Sequence, residues 1–158
     1  MRDRLYVHIA WTTRYRAGML DERVAQFLIE FLPVIARQER ARVMDMGIVR
    51  SHLHLILRLH PSTSIPRLLQ RMKGGSAMLA NRDGHVASGR ALRWAKGYNV
   101  ESVSPRSIDA ARAYVRNQSS RHPTEAIGGL VMPIWDLGEQ RDTGDMDVAS
   151  ATTAEPRL

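Results

Sequence analysis

The chain contains no cysteine among its 158 residues. This absence excludes disulfide frameworks, thiolate zinc sites and cysteine nucleophiles, and it favours a reducing, cytoplasmic compartment. Long apolar runs are also missing, because no stretch approaches the ~18 residues that a membrane-spanning helix needs. The apolar stretch at residues 5–11 is interrupted by His8, is followed by Arg14 and has no small-residue cleavage site. We therefore interpret it as a strand and not as a signal peptide, and we expect no membrane partner.

Acidic residues are scarce relative to basic ones, with 16 Asp and Glu against 23 Lys and Arg and a net charge of +7. The imbalance is uneven, since residues 139–158 hold five acids and two bases and the first 138 residues therefore carry +10. We expect one folded domain over residues 1–138 and a disordered acidic tail over 139–158. A basic body predicts a polyanionic partner such as nucleic acid, although a basic protein without such a partner is the alternative.

Hydrophobic periodicity predicts seven elements in the order β-α-β-β-α-β-α. The predicted strands are residues 5–12, 43–49, 52–59 and 98–103. The predicted helices are a long one capped by Asp21 and running to about Arg42, one capped by Ser64 and running to about Asn81, and one that ends near Ser120. This order is typical of an α+β fold, the ferredoxin-like split βαβ sandwich, with a four-stranded sheet, two helices on one face and a further C-terminal helix.

The third strand carries two histidines between its leucines. Because strand side chains alternate, the leucines face the helices and both His52 and His54 fall on the other face, which the pattern predicts to be uncovered. Two imidazoles one pleat apart on a rigid strand can both reach one divalent ion. The alternative is a pair of half-exposed histidines without a ligand.

The third helix places Tyr114 and Gln118 four residues apart, so that one lies above the other. A carboxamide oxygen is a suitable ligand for Mg²⁺ or Mn²⁺. A phenol is a nucleophile once it loses its proton, and its usual pKa of about 10 means that a metal or a base must help. The alternative is a tyrosine that anchors the helix and a solvated glutamine.

These two motifs resemble those of the single-tyrosine HUH transposases carried by the smallest bacterial insertion sequences. His52-Leu53-His54 resembles the His-hydrophobic-His motif, and residues 114–118 resemble the Tyr-x-x-x-Gln helix. Four further stretches resemble the family in the same order, at residues 11–16, 47–49, 71–76 and 94–103. The resemblance covers roughly residues 5–120. One departure is Ser51, since the family often has an acid immediately before the first histidine.

The resemblance implies that Tyr114 is the nucleophile and that His52, His54 and Gln118 bind Mg²⁺ or Mn²⁺. It implies a DNA transposase that cleaves and rejoins single-stranded DNA at hairpin-bearing ends, through a 5′-phosphotyrosine. It also implies a homodimer in which the tyrosine helix of one subunit can serve the site of the other. Our candidates for DNA contacts are Arg14, Tyr15, Arg16, Arg67, Arg71 and Lys73, with Tyr15 or Trp94 available to stack on an unpaired base.

Three alternatives stay open at this point. A REP-associated tyrosine transposase shares the chemistry but usually has Asn where Gln118 stands, and it acts on chromosomal palindromes. A non-catalytic nucleic-acid-binding module can have the same fold. A two-histidine phosphoesterase would use residues 60–62 and 122–124, but the proline in the middle of each triplet argues against a paired central strand.

Overall fold

The computed structural model of the chain describes residues 3–135. The predicted domain boundary at residue 138 and the predicted acidic tail over 139–158 lie outside this range. Within it, no helix is long and apolar enough to cross a membrane.

The predicted order of elements is confirmed. The structure contains β1 (Leu5–Thr12), α1 (Glu22–Gln38), β2 (Ala41–Val49), β3 (His52–Leu59), α2 (Ile65–Arg82), β4 (Asn99–Val103), α3 (Ile108–Arg116) and α4 (Gln118–Arg121), with 3₁₀ turns at Arg14–Arg16 and Pro123–Glu125. Asp21 and Ser64 cap α1 and α2 as predicted, accepting hydrogen bonds from the backbone N–H of Val24 at 3.0 Å and of Arg67 at 3.3 Å.

Two helix ends differ from the prediction. Helix α1 ends at Gln38 and not near Arg42, because Arg40 turns the chain with a φ of 63° and leads it directly into β2. The third predicted helix is divided at Asn117, so that its last turn forms α4. Periodicity does not reveal either end, because both breaks are local backbone turns inside a continuing polar-apolar pattern.

The four strands form one antiparallel sheet in the order β2-β3-β1-β4. This is the order of a ferredoxin-like split βαβ unit, which confirms the predicted fold class. Strand β3 is central and pairs on both sides, with Thr12 of β1 and Val49 of β2 opposite His52, and Ala10 and Gly47 opposite His54. The candidate histidines therefore stand on a strand that is paired along both edges.

Both faces of the sheet are covered. One face packs against α1 and α2 around a large core to which β3 contributes its four leucines. The other face carries a smaller cluster of Tyr6, Met44, Ile56 and Val115, with α3 lying over it. The expectation that this face is uncovered was wrong, because α3 has an apolar stripe of its own and buries it there. His52 and His54 therefore lie beneath the tyrosine helix.

Helix α2 holds the irregular segment that precedes β4. Lys73 Nζ donates to the carbonyls of Ala95 at 2.8 Å and Gly97 at 2.6 Å, and Ser76 Oγ accepts from Trp94 Nε1 at 3.0 Å. The side-chain amide of Asn81 donates a hydrogen bond to the carbonyl of Leu92 and accepts one from its N–H. These bonds hold residues 92–97 beside the end of β1.

Candidate active site

The two histidines of β3 lie one pleat apart, with ring centroids separated by 5.2 Å. His52 is buried and His54 is partly buried. Their position between paired strands restricts the backbone, so the spacing of the two imidazoles is set by the pleat. This agrees with the arrangement that the alternation of β3 predicts.

A buried ion pair fastens α3 to the sheet next to these histidines. Asp45 of β2 is 1% exposed and accepts from Arg112 Nε at 2.5 Å. The same carboxylate accepts from both Nε and Nη2 of Arg116, at 3.0 and 2.8 Å. Arg112 also donates to the carbonyl of Met44 at 3.1 Å. Because a buried carboxylate is costly unless it is paired and hydrogen-bonded, these contacts tie the helix to β2.

Glycine at position 47 allows α3 to approach β2 closely. A Cβ atom there would lie 2.1 Å from the carbonyl oxygen of Val115 and 2.9 Å from Cγ of Gln118. No residue with a side chain fits without moving the helix. Gly47 therefore sets how near Tyr114 and Gln118 come to the histidines.

Tyr114 faces the histidines of its own chain. Its ring centroid lies 5.8 Å from that of His54 and 5.9 Å from that of His8, in edge-to-face contacts. The guanidinium carbon of Arg121 lies 4.4 Å from the centre of the same ring. This is a cation–π contact between Arg121 and the face of the Tyr114 ring.

Gln118 is 1% exposed and points its amide into the site. Its Nε2 donates to the carbonyl of Tyr114 at 3.2 Å, whereas Oε1 is buried and has no hydrogen-bond partner in the part of the chain that the structure describes. The Gln118 side chain also lies close to the imidazole of His52 and raises its pKa, although no hydrogen bond of normal length and angle joins Oε1 to that ring. A buried amide oxygen without a partner beside two imidazoles is a donor set that fits a divalent cation such as Mg²⁺ or Mn²⁺.

Within residues 3–135, no group of three or more His, Cys, Asp or Glu side chains is arranged to hold a metal ion. A three-ligand site on β3 therefore depends on Gln118 as its third member.

Burial keeps both histidines neutral. It lowers the pKa of His54 from 6.5 to about 3, with the nearby imidazoles of His8, His52 and His122 adding to the effect. Burial also lowers the pKa of His52, and the negative charge of Glu125 opposes that shift. Because only a neutral imidazole has a lone pair for a metal, this environment suits coordination at pH 7.

Four further side chains stand at the site. His8 Nε2 lies 2.8 Å from His54 Nδ1, and Ser51 Oγ lies 3.1 Å from His52 Nδ1. Ser51 donates to Glu125, and the ring centroid of His122 lies 5.0 Å from that of His52. The alternation of β1 places His8 on this face, so the sequence contains that signal. Nothing local marks His122 or Glu125, because their contacts with Ser51 and His52 join residues far apart in the sequence.

The two histidines of the phosphoesterase alternative are not brought together. His122 lies against His52, at the start of β3, whereas His60 follows the opposite end of that strand. Eight residues of extended chain span roughly 25 Å, so the two triplets cannot share a substrate in this arrangement.

Three of the six candidate DNA contacts lie beside the site. Arg14, Tyr15 and Arg16 form the turn after β1, whose last residue Thr12 pairs with His52. Tyr15 is 83% exposed, and both it and Arg16 have positive φ angles of 59° and 53°. Arg16 is close enough to His52 to lower its pKa.

The other three candidates lie on α2, on the opposite face of the sheet. Arg67 and Arg71 both pair with Glu39, at 3.1 and 2.8 Å, and Lys73 binds the two carbonyls described above. Trp94, the second candidate for base stacking, packs edge-to-face on Trp11 with centroids 5.7 Å apart. These side chains already have intramolecular partners.

Comparison with known proteins identifies the family. A family model described as "Transposase IS200 like" matches residues 1–118. The chain belongs to this family. The predicted resemblance to the single-tyrosine transposases is thereby confirmed.

The chain is similar to the ISDra2 transposase TnpA of Deinococcus radiodurans, with 36% identity over 73 residues. The match covers 46% of this chain and 52% of the relative, so the chain spans about half the length of that protein.

Two solved structures described as transposases have a similar fold. One is a crystal structure described as a transposase of Deinococcus radiodurans R1, with 27% identity, a TM-score of 0.56 and coverage of 73% of this chain and 91% of that one. The other is a REP-associated tyrosine transposase bound to a REP hairpin, with 10% identity, a TM-score of 0.56 and coverage of 77% and 70%. The second likeness shows the shared fold alone.

Proposed function

We propose that this IS200-like protein is a DNA transposase that cleaves and rejoins single-stranded DNA through Tyr114, with a divalent cation held by His52, His54 and Gln118. The observation that carries the proposal is the approach of the Tyr114 ring to within 5.8 Å of the His54 ring, next to the unpartnered amide oxygen of Gln118. The same arrangement offers little to a protein that only binds nucleic acid, because it places the phenol against imidazoles beneath a helix and not on an open sheet face.

The chain's own residues supply the nucleophile and its surroundings. The oxygen of Tyr114 attacks the scissile phosphorus, one P–O bond forms as another breaks, and the products are a 5′-phosphotyrosine and a free 3′-hydroxyl. The proton that the phenol loses balances the one that the 3′-oxygen gains. Attack by another 3′-hydroxyl reverses the step, so no ATP is needed. A bound Mg²⁺ or Mn²⁺ would polarise the phosphate and stabilise its developing charge.

The turn at Arg14–Arg16 is the proposed DNA contact nearest to the nucleophile. Its two arginines suit phosphate groups, and the exposed ring of Tyr15 suits stacking on an unpaired base. The two consecutive positive φ angles are a strained conformation for residues with side chains, and such strain is typical of functional turns. Of the candidates on α2, Arg67 has the most exposed side chain, at 68%. We rank it as a DNA contact after the turn at Arg14–Arg16.

We propose single-stranded DNA with hairpins as the substrate. The basic excess of the chain and the hairpin bound by the REP-associated relative support this choice. Gln118, where REP-associated enzymes usually have Asn, favours the insertion-sequence type over the chromosomal type.

The test of the nucleophile uses a hairpin oligonucleotide labelled at its 3′ end, so that a 5′-phosphotyrosine retains the label on a denaturing gel. We expect a labelled adduct with the wild-type protein and Mn²⁺, and none with Tyr114→Phe, which lacks only the hydroxyl. Tyr98→Phe is the matched control, because Tyr98 is exposed before β4 and should leave the adduct unchanged. Adduct formation by Tyr114→Phe would move the nucleophile elsewhere. Hairpin binding by the wild type without any adduct would favour the non-catalytic module.

The cation is tested separately. We expect EDTA to abolish adduct formation and Mn²⁺ to restore it. His52→Ala and His54→Ala should each remove this response, because the remaining ligands are too few to hold the ion. Undiminished cleavage in EDTA would contradict a metal-dependent reaction.

A further inference from the structure

Both candidate ligands on β3 form hydrogen bonds through the same ring nitrogen. His54 meets His8 through Nδ1, at 2.8 Å, and His52 meets Ser51 through Nδ1, at 3.1 Å. Neither of these two hydrogen bonds uses Nε2 of His52 or of His54. Because a neutral imidazole carries one proton, whichever nitrogen donates to the protein leaves the other with its lone pair.

A carboxylate stands at the end of the hydrogen-bond chain that starts at His52. Ser51 Oγ donates a hydrogen bond to the carboxylate of Glu125, whose Oε1 also lies 4.0 Å from Nδ1 of His52. An ionised carboxylate only accepts, so the Ser51 proton is committed to Glu125. Ser51 Oγ is then an acceptor towards His52, and the His52 proton belongs on Nδ1.

A second path starts at His54 and passes through His8, and its last step is an ion-pair contact and not a hydrogen bond. Glu101 Oε1 lies 3.9 Å from Nδ1 of His8, on the side of the ring opposite His54. The carboxylate favours a proton on that nitrogen, which makes Nε2 of His8 an acceptor. The His54 proton therefore also belongs on Nδ1. Glu101 is the weaker anchor, because its side chain is 78% exposed.

We infer that His8 positions His54, and that Ser51 and Glu125 position His52. Each histidine is thereby held in the tautomer whose Nε2 is free to bind a divalent cation. Resting on the proposed function, this assigns to Glu125, 74 residues from Ser51, the place of the acid that the family often has immediately before its first histidine. Groups that orient a metal-binding histidine in this way typically change metal affinity by about 10–100-fold when they are removed.

The tautomers can be read without any metal. In ¹⁵N-histidine-labelled full-length protein with EDTA, long-range ¹H–¹⁵N correlation spectra distinguish a protonated ring nitrogen from an unprotonated one. We expect Nδ1 of both His52 and His54 to carry the proton in the wild type. A proton on Nε2 of both rings would overturn the inference.

Metal affinity provides the second readout, measured as the dissociation constant of Mn²⁺ by calorimetry. We expect Glu125→Gln and Ser51→Ala, which act on His52, each to weaken Mn²⁺ binding by about 10–100-fold. We expect a loss of the same size for His8→Ala, which acts on His54. The double variant Ser51→Asp with Glu125→Gln places the carboxylate next to the ring and should recover most of the affinity. His60→Gln, in the turn after β3, is the matched control and should bind as the wild type does.

The outcomes separate this inference from the proposed function. A wild-type protein that binds no Mn²⁺ would overturn the metal assignment, and this inference with it. Unchanged Mn²⁺ affinity in Glu125→Gln, Ser51→Ala and His8→Ala would overturn this inference alone. The proposed roles of Tyr114 and of the metal ligands would be unaffected. Circular dichroism of each variant confirms that it is folded, and the wild-type tautomers are decisive even where a variant does not fold.

Discussion

At the scale of single residues, the site concentrates imidazoles in a partly buried position. His8, His54, His52 and His122 form a chain of ring contacts in that order, with successive centroids 5.0, 5.2 and 5.0 Å apart. Burial lowers the pKa of His8, His52 and His54. Neutral rings can pack closely where charged ones would repel. The cluster therefore makes the fold sensitive to acid.

We expect the metal-free protein to lose stability below pH 7. The pKa of His54 is about 3 in the folded chain and 6.5 in the free residue, so the unfolded chain binds a proton there that the folded chain does not. The free energy of unfolding should fall by about 2 kcal/mol between pH 7 and pH 5 from this residue alone, with His8 and His52 adding in the same direction. Urea titrations in EDTA at the two pH values measure the change.

His54→Gln is the variant that isolates this effect, because it removes the titrating ring. Between pH 7 and pH 5, the free energy of unfolding of His54→Gln should fall by about 2 kcal/mol less than that of the wild type. His60→Gln should show the same fall as the wild type. A stability that is equal at the two pH values would contradict the burial of neutral imidazoles.

At the scale of elements, α3 determines whether a site exists. The Asp45 carboxylate with its two arginines fastens this helix to β2, and the missing side chain at Gly47 brings it close. The sequence predicts α3 and the face on which Tyr114 lies, whereas Gln118 follows the break at Asn117 and begins α4. It does not predict the docking, because Asp45 is 67 residues from Arg112 and no local pattern joins them.

Gly47→Ala tests the close approach of α3. A Cβ 2.1 Å from a backbone oxygen must displace the helix, so we expect a loss of about 1–3 kcal/mol in stability and a strong loss of adduct formation. Gly74→Ala is the matched control inside α2, where a Cβ meets nothing within 4 Å. It should stabilise the protein by about 0.5–1 kcal/mol and leave the adduct unchanged. Equal behaviour of the two variants in denaturant titrations would argue against the contact.

At the scale of the whole molecule, the question is which chain supplies the tyrosine. The structure brings Tyr114 and His54 of one chain together, whereas the predicted homodimer allows a site shared between chains. We expect a mixture of Tyr114→Phe and His54→Ala proteins to form no adduct, because in this arrangement each chain would need both residues. Recovery of activity in the mixture would show that subunits exchange their tyrosine helices, and sedimentation of the same samples reports whether they form dimers.

Net charge acts at the same scale. The full chain carries +7, and the substitutions Asp142→Asn, Asp145→Asn and Asp147→Asn raise this to +10. We expect the triple variant to bind single-stranded DNA more tightly at about 50 mM salt and equally at about 500 mM salt, because counterions screen distant charges. Fluorescence anisotropy over a salt series measures both limits, and equal affinity throughout would show that the acidic segment does not affect DNA binding.

The sequence by itself determined the order of the elements, the face of β3 that bears the histidines and the four-residue spacing of Tyr114 and Gln118. These properties follow from periods of two and 3.6 residues, which are local. Tertiary structure alone decided that α3 covers the second face, that Glu125 reaches Ser51, and that Arg71 and Lys73 bind groups of their own chain. Such contacts join residues distant in sequence, and the choice of a side chain's partner depends on packing that no local pattern encodes.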